Sequence, residues 1–214
     1  MKKIYFSLFL ICITASAFSQ FSVGAAANYT AYKGDFQKST PGAHVRLSYE
    51  FNEKLTANLG FTYGMPIKLA STVIIADDFN NTTEVASEIN FKFKTFSLLS
   101  NYRFIGDEET TANFYGQFGA GLVLISYKED ITGSYDKNTY KFPQDQVEKT
   151  NENGFTLNLG LGGEYRIGTP VIFAEGGIAF PANQVNNYYV ENVIPIHFTV
   201  NLGIKIPLGY NGDN

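Results

Sequence analysis

Residues 155–167, FTLNLGLGGEYRI, alternate between apolar residues and polar residues or glycine. In an extended chain, Phe155 and Leu157 would lie on one face, and Thr156 and Asn158 would lie on the other. Successive side chains of a β-strand point to opposite faces, so alternation with a period of two residues indicates a strand. This stretch therefore predicts a long strand that has one apolar and one polar face.

The same period recurs along most of the chain. Alternation predicts further strands over residues 21–29, 43–51, 55–65, 88–104, 112–124, 172–180 and 194–206. Within residues 88–104 the apolar positions change from odd to even numbers near Lys94 and Thr95, and we interpret this change as a β-bulge. The sequence therefore predicts an all-β chain of about eight strands.

The connections between these strands alternate between short and long. The short ones cover residues 52–54, 105–111 and 168–170, and the long polar ones cover residues 31–40, 66–86, 128–153 and 181–192. No apolar run after the N-terminal segment approaches the roughly 18 residues that a membrane helix needs, so strands would have to make any membrane span. Alternating short turns and long loops are typical of a transmembrane barrel.

The first 19 residues have the pattern of a secretory signal peptide. A basic start and a short apolar run precede small residues at Ala17 and Ser19, where a signal peptidase would cleave. No linker or change of composition divides the remainder. We therefore expect a signal peptide over residues 1–19 and a single domain over residues 20–214.

The composition excludes several classes of function. Without Lys2 and Lys3 the formal net charge falls from −4 to −6, so we expect no nucleic-acid partner. The single cysteine, Cys12, lies in the predicted signal peptide, which leaves no thiol for a disulfide or a metal. Charged residues make up only 17% of the chain, whereas Phe and Tyr are abundant, and this balance favours β-structure in lipid.

Three stretches carry a resemblance to a known family. They are the glycine-rich residues 118–122, residues 159–165, and a closing strand that contains Leu202, Ile204, Ile206, Leu208 and Tyr210. These stretches resemble small bacterial outer-membrane β-barrel proteins, the porin-like or outer membrane protein β-barrel domain family, and Ser19-Gln20 resembles signal-peptide ends in Bacteroidota. The resemblance implies an eight-stranded antiparallel up-and-down transmembrane β-barrel, with short periplasmic turns and long extracellular loops. It also implies a monomer in the cell outer membrane that contacts lipid and lipopolysaccharide.

Eight ionisable side chains fall on the polar, inward faces of the predicted strands. They are His44, Arg46, Glu50, Glu164, Arg166, Glu175, His197 and Lys205. Burying charges inside a narrow barrel is costly unless they are paired. If the hairpin after Gly168 has a two-residue loop, Glu164 lies opposite Glu175 and Arg166 reaches both carboxylates. We interpret the set as an ion-paired plug of the lumen; the alternative is a charged constriction that selects small solutes.

The sequence leaves three functional interpretations. The first is a structural or surface-interaction role, in which the outer loops bind an extracellular ligand, and the second is a narrow passive channel. The third is a lipid-modifying enzyme, which needs a nucleophile beside a histidine, yet His197 has only Thr199 near it on its own face. No His, Cys or carboxylate cluster has the spacing of a metal site. We therefore predict no catalytic residue, no cofactor and no metal.

Overall fold

The computed structural model describes residues 20–34, 37–77, 81–106, 110–141, 150–183 and 194–208. Its described residues form ten strands: β1 (Phe21–Tyr32), β2 (Ser39–Asn52), β3 (Leu55–Gly64), β4 (Ile67–Asp77), β5 (Thr82–Ile105), β6 (Ala112–Ile131), β7 (Tyr140–Lys141), β8 (Thr150–Arg166), β9 (Val171–Pro181) and β10 (His197–Leu208). No helix among them is long and apolar enough to cross a membrane. The predicted signal peptide, Cys12 and Tyr210 lie outside the described residues.

Eight of these strands close into an antiparallel ring. The order is β3, β2, β1, β10, β9, β8, β6 and β5, and pairing between β3 and β5 closes the circle. The short connections β2–β3, β5–β6 and β8–β9 lie at one end, the turn end, where Phe21 also pairs with Leu208. The other ends of these strands mark the opposite end, the loop end. The predicted eight-stranded barrel is thereby confirmed.

The barrel is apolar outside and polar inside. On β8, Leu157, Leu159 and Leu161 are 55–66% exposed, whereas Thr156 and Glu164 on the inward face are buried. A soluble barrel would have the reverse arrangement, because exposed apolar surface is unfavourable in water by about 25 cal/mol per Å². This outer surface, the lipid band, suits the hydrocarbon of a membrane.

The predicted loop over residues 66–86 is wrong. Most of this stretch forms β4, which pairs with β5 from Ile67 opposite Phe91 to Ala76 opposite Thr82. The reason is that β5 continues beyond the point where β3 ends, and β4 supplies the hydrogen-bonding partner that β3 no longer provides. We call β4, residues 82–93 of β5 and residues 124–131 of β6 the loop-end sheet, which extends past the ring.

Two other predicted loops are shorter than expected. The loop over residues 31–40 shrinks because β1 continues to Tyr32 and β2 begins at Ser39. The loop over residues 128–153 shrinks because β6 continues to Ile131 and β8 begins at Thr150. These strand ends have neighbours to pair with, so their polar composition does not end them.

The predicted bulge near Lys94 and Thr95 is also wrong. The pairing of β5 with β6 runs without interruption through these residues, and its irregularity lies between Arg103 and Ile105. What changes near Lys94 is which face carries the apolar residues. Phe93 points inward and is buried, whereas Phe96 points outward and is exposed. The strand is therefore regular through this region. Its apolar residues face outward on the turn-end side of Lys94 and face the interior on the loop-end side.

That apolar interior lies at the loop end of the ring. We call it the apolar cap, and it consists of Tyr32, Ile67, Ile89, Phe91, Phe93, Val123, Ile125, Tyr127 and Ile194. Tyr32 stacks on Phe93 with ring centroids 4.6 Å apart. Ile194 had been predicted to begin the last strand on its outward face, but pairing starts only at His197, after Pro195, whose ring nitrogen has no hydrogen to donate. Ile194 is instead buried in the cap.

Candidate functional site

Arg46 joins two carboxylates inside the barrel. From β2, its Nη2 donates a hydrogen bond to Glu164 Oε1 on β8 at 3.1 Å, and its Nη1 donates to Glu175 Oε1 on β9. The guanidinium also lies 3.7 Å from the ring centroid of Phe173. Arg46, Glu164 and Glu175 are each at most 8% exposed. A planar guanidinium can bridge two carboxylates in this way and offset their repulsion with charge-assisted hydrogen bonds.

The charges continue toward the turn end. Lys205 Nζ donates to both carboxylate oxygens of Glu164 at 2.8 Å and lies 3.7 Å from Glu50 Oε1. Arg103 Nη2 lies 3.9 Å from the same Glu50 oxygen. Cations and carboxylates therefore alternate from the middle of the lumen to its turn end, a set of side chains that we call the charge network. Arg103 was absent from the predicted set, although its place between outward Tyr102 and Phe104 indicates an inward side chain.

Glu175 receives further hydrogen bonds from neutral side chains. Tyr115 Oη donates to Glu175 Oε1 at 2.7 Å, and Gln117 Nε2 donates to the same oxygen at 3.0 Å. The Tyr115 ring lies over Gly162, where an added Cβ would come within 2.5 Å of a ring carbon. A glycine at this position therefore leaves the room in which the tyrosine reaches the carboxylate. The sequence indicated that Tyr115 points inward, but it carried no signal of this partner on another strand.

The predicted position of Arg166 is wrong. Arg166 pairs with Val171, so the hairpin loop covers four residues, and Glu175 lies opposite Gly162 rather than opposite Glu164. The shift of two residues keeps every side chain on its predicted face, because the period of a strand is two. Arg166 consequently lies half-buried at the turn end. Arg46, rather than the predicted Arg166, bridges Glu164 and Glu175.

His44 and His197 lie above the charge network and line a polar cavity of about 70 Å³ below the apolar cap. His44 Nδ1 lies 2.9 Å from Thr62 Oγ1. His197 Nδ1 lies 3.0 Å from the carbonyl oxygen of Pro195, and because a carbonyl only accepts, this nitrogen carries the proton. The cavity has room for a few water molecules among its polar groups.

Packed side chains therefore lie in the lumen at two levels. The charge network occupies its lower half, and the apolar cap fills its loop end. Among the described residues there is no group of three or more His, Cys, Asp or Glu side chains that could hold a metal ion.

We expect Tyr115→Phe to lower the free energy of unfolding by about 1.5–3 kcal/mol, because the substitution removes a hydrogen bond to a buried charged group. The measurement is a urea titration of the protein folded in lipid vesicles, followed by its heat-sensitive migration on gels. The control is Tyr165→Phe, since Tyr165 points outward and is 53% exposed. Equal effects of the two substitutions would contradict the role of Tyr115 in the network.

Comparisons with known proteins agree with the barrel fold. The sequence matches the family described as outer membrane protein beta-barrel domain over residues 6–171. The fold is similar to Neisserial surface protein A (NspA), with a TM-score of 0.56 and 17% identity over 89% of this chain and 98% of that chain. It is also similar to a major outer membrane protein from Thermus thermophilus, with a TM-score of 0.57 and 12% identity over 86% of this chain and 98% of that chain. No curated protein sequence matches the chain.

Proposed function

This chain belongs to the outer membrane protein β-barrel domain family, and from that premise we propose that it is a surface-interaction protein whose loop-end sheet binds a ligand outside the cell. Its location is the cell outer membrane. In such barrels the short turns face the periplasm, so the loop end faces outward. We further propose that residues 1–19 are removed on export and that residues 20–214 form one monomeric domain.

The observation that carries this proposal is the contrast between an obstructed lumen and a sheet that extends past the ring. The charge network and the apolar cap leave little space for a solute. The loop-end sheet has a small core of its own, in which Val73, Ile75 and Val85 pack against Ile131 and two tyrosines. A separately packed sheet presents a defined surface, which is the property that a binding protein needs.

A narrow passive channel is the second candidate. The polar cavity beside His44 and His197 favours it, because water there would form part of a path through the barrel. Such a path would have to cross both the apolar cap and the charge network. A channel function therefore requires a second arrangement of these side chains, and we rank it below surface interaction.

The positions of the histidines support a structural role rather than catalysis on lipid. His44 and His197 are both buried inside the lumen. A lipid substrate would reach the outward face of the barrel, and neither imidazole lies on that face. We propose that both side chains hydrogen-bond within the lumen and act on no substrate.

The first test is single-channel conductance of the folded protein in a planar bilayer, where we expect no stable steps. A second test uses a shortened protein in which Asn-Gly replaces residues 72–86. Ser71 and Ser87 are paired, so a two-residue turn can join them without disturbing the ring.

We expect cells that carry the intact protein to adhere to polysaccharide-coated or protein-coated surfaces several-fold better than cells that carry the shortened protein. Equal surface amounts and heat-sensitive gel migration of both proteins provide the control. Stable conductance steps from the intact protein, or equal adherence of the two cell types, would overturn the proposal.

A further inference from the structure

β4 is the last long strand on one side of the loop-end sheet. One side of β4 pairs with β5 from Ile67 to Ala76, and on its other side β7 pairs only with Ala76 and Asp77. No other backbone hydrogen bond within the described residues reaches residues 67–75. Among the described residues, this side of residues 67–75 is therefore a strand edge without a neighbour, which we call the open edge.

Alternate residues direct their backbone groups toward the open edge. The N–H of Asp77 donates to the carbonyl oxygen of Asn81 across the hairpin of β4 and β5, and the pairing continues from there without a change of register. Hydrogen-bonded pairs alternate with non-hydrogen-bonded pairs in an antiparallel ladder, so the odd-numbered residues of β4 bond to β5. The four even-numbered residues from Lys68 to Ile74 consequently direct one N–H and one C=O each toward the open edge.

The open edge has few of the features that keep strand edges from pairing. Natural proteins protect exposed edges with proline, with bulges or with lysine side chains. Residues 67–75 contain no proline, and they pair with β5 without a bulge. Their one lysine, Lys68, is occupied in an ion pair with Glu88, and the apolar side chain of Ile74 is 59% exposed. The open edge is thus able to accept a further strand.

β7 shows how a strand lies along this side of β4. Its two residues, Tyr140 and Lys141, pair antiparallel with Asp77 and Ala76, directly beside the open edge. The side chain of Tyr140 packs against the small core of the loop-end sheet. A further strand in line with β7 would direct every second side chain toward the same core. The open edge therefore favours a partner that has apolar residues at alternate positions.

We propose that the open edge binds an extended segment of another protein as an added antiparallel β-strand. A row of N–H and C=O groups is complementary to the backbone of a second strand, which selects a polypeptide as the ligand. A second copy in the same membrane fits poorly, because rotation about the membrane normal would set the apolar inner face of one sheet beside the polar outer face of the other. This inference rests on the proposed function and specifies its partner and its binding element.

The test compares two substitutions at Thr72, in the middle of the open edge. Thr72→Pro removes an N–H that faces the open edge and leaves the hydrogen bonds to β5 in place, whereas Thr72→Ala keeps this N–H. The probe is a fluorescent peptide with the sequence of residues 82–91, which pairs with the other side of β4 in the protein and has apolar residues at positions 85, 89 and 91. Its binding to each protein in a neutral detergent is measured by fluorescence anisotropy.

We expect Thr72→Ala to bind the peptide within about twofold of the unchanged protein and Thr72→Pro to bind it roughly tenfold more weakly, because proline removes a donor and its ring obstructs the added strand. The same peptide with every amide N-methylated cannot donate hydrogen bonds, and we expect no binding of it. Equal binding of the unmodified peptide by the two variants would overturn the proposal. Heat-sensitive gel migration verifies that both variants are folded.

Adherence of cells separates this inference from the proposed function. On protein-coated surfaces we expect cells that carry Thr72→Pro to adhere as weakly as cells that carry the shortened protein, and cells that carry Thr72→Ala to adhere like those with the unchanged protein. Equal adherence with the two variants, both stronger than with the shortened protein, would overturn the open edge and leave the proposed function standing. Equal adherence with the unchanged and the shortened protein would overturn the proposed function itself. A dimer in neutral detergent that Thr72→Pro converts to a monomer would identify the partner as a second copy and overturn its assignment to another protein.

Discussion

Replacing Arg46 by methionine is expected to lower the free energy of unfolding by about 3–5 kcal/mol, because the loss of one partner leaves buried charge uncompensated. Arg46 bridges Glu164 and Glu175, and all three side chains are buried. Lys205 still pairs with Glu164 in the variant, so the greater penalty falls on Glu175, which keeps only neutral hydrogen-bond donors. Urea titration of the protein folded in vesicles measures this loss through the heat-sensitive migration of the folded form.

Arg166→Met is the matched control for this prediction. This substitution also removes one positive charge from the inward face, but Arg166 is half-buried and lies at the turn end. We therefore expect the free energy of unfolding to fall by about 1 kcal/mol or less. Adding Glu175→Gln to Arg46→Met should restore part of the lost stability, because it removes the unpaired charge. The charge network as described is incorrect if Arg46→Met and Arg166→Met destabilise the protein equally.

The sequence predicts the ring well because one physical constraint acts on every strand. Lipid outside and a narrow polar lumen inside force alternation with a period of two, and the stretch from Phe155 to Ile167 shows it directly. The same constraint explains why Glu164 and Glu175 were placed inward although their register was wrong. A slip of two residues preserves the face of every side chain, so alternation cannot reveal it.

The parts of the strands beyond the lipid band follow a different pattern, and there the prediction of a bulge and a loop is wrong. Above Lys94 the outward face meets water and the interior becomes apolar, so the apolar residues of β5 move from even to odd positions. If lipid covered the whole strand, this change of face would require a bulge, which is why the sequence predicts one. The same reason explains why the sequence predicts a loop where β4 pairs with β5, because the outward residues of this hairpin, apart from the exposed Ile74, are charged, polar or small.

Contacts across the barrel were beyond prediction because no local pattern encodes them. Arg46 is 118 residues from Glu164 and 129 from Glu175 along the chain, and Tyr115 is 60 residues from Glu175. Alternation shows that each side chain enters the lumen, but the stagger and tilt of the closed sheet decide which of them meet. The sequence predicts Arg166 as the partner only because Arg166 is close to both carboxylates along the chain.

The second large effect is expected at Phe91, which is fully buried in the apolar cap, with its ring centroid 5.4 Å from that of Tyr127. Phe91→Ala should lower the free energy of unfolding by about 3–5 kcal/mol, since it removes packing and leaves a cavity that its neighbours cannot fill. The same urea titration in vesicles measures this change. The prediction depends on the inward orientation of Phe91, which is the point at which the sequence-based interpretation and the structure disagree.

Phe96→Ala on the same strand separates the two interpretations. Phe96 points outward, is 45% exposed and has its ring centroid 5.0 Å from that of Phe61, so lipid chains can fill the space that its ring leaves. We expect a loss of about 1–2 kcal/mol, which is the cost of the lost apolar contact without a cavity. A bulge at residues 94–95 would place Phe91 and Phe96 on one outward surface, and Phe91→Ala would then cost no more than Phe96→Ala. The structure requires the opposite order, because only the ring of Phe91 packs against other side chains on all sides.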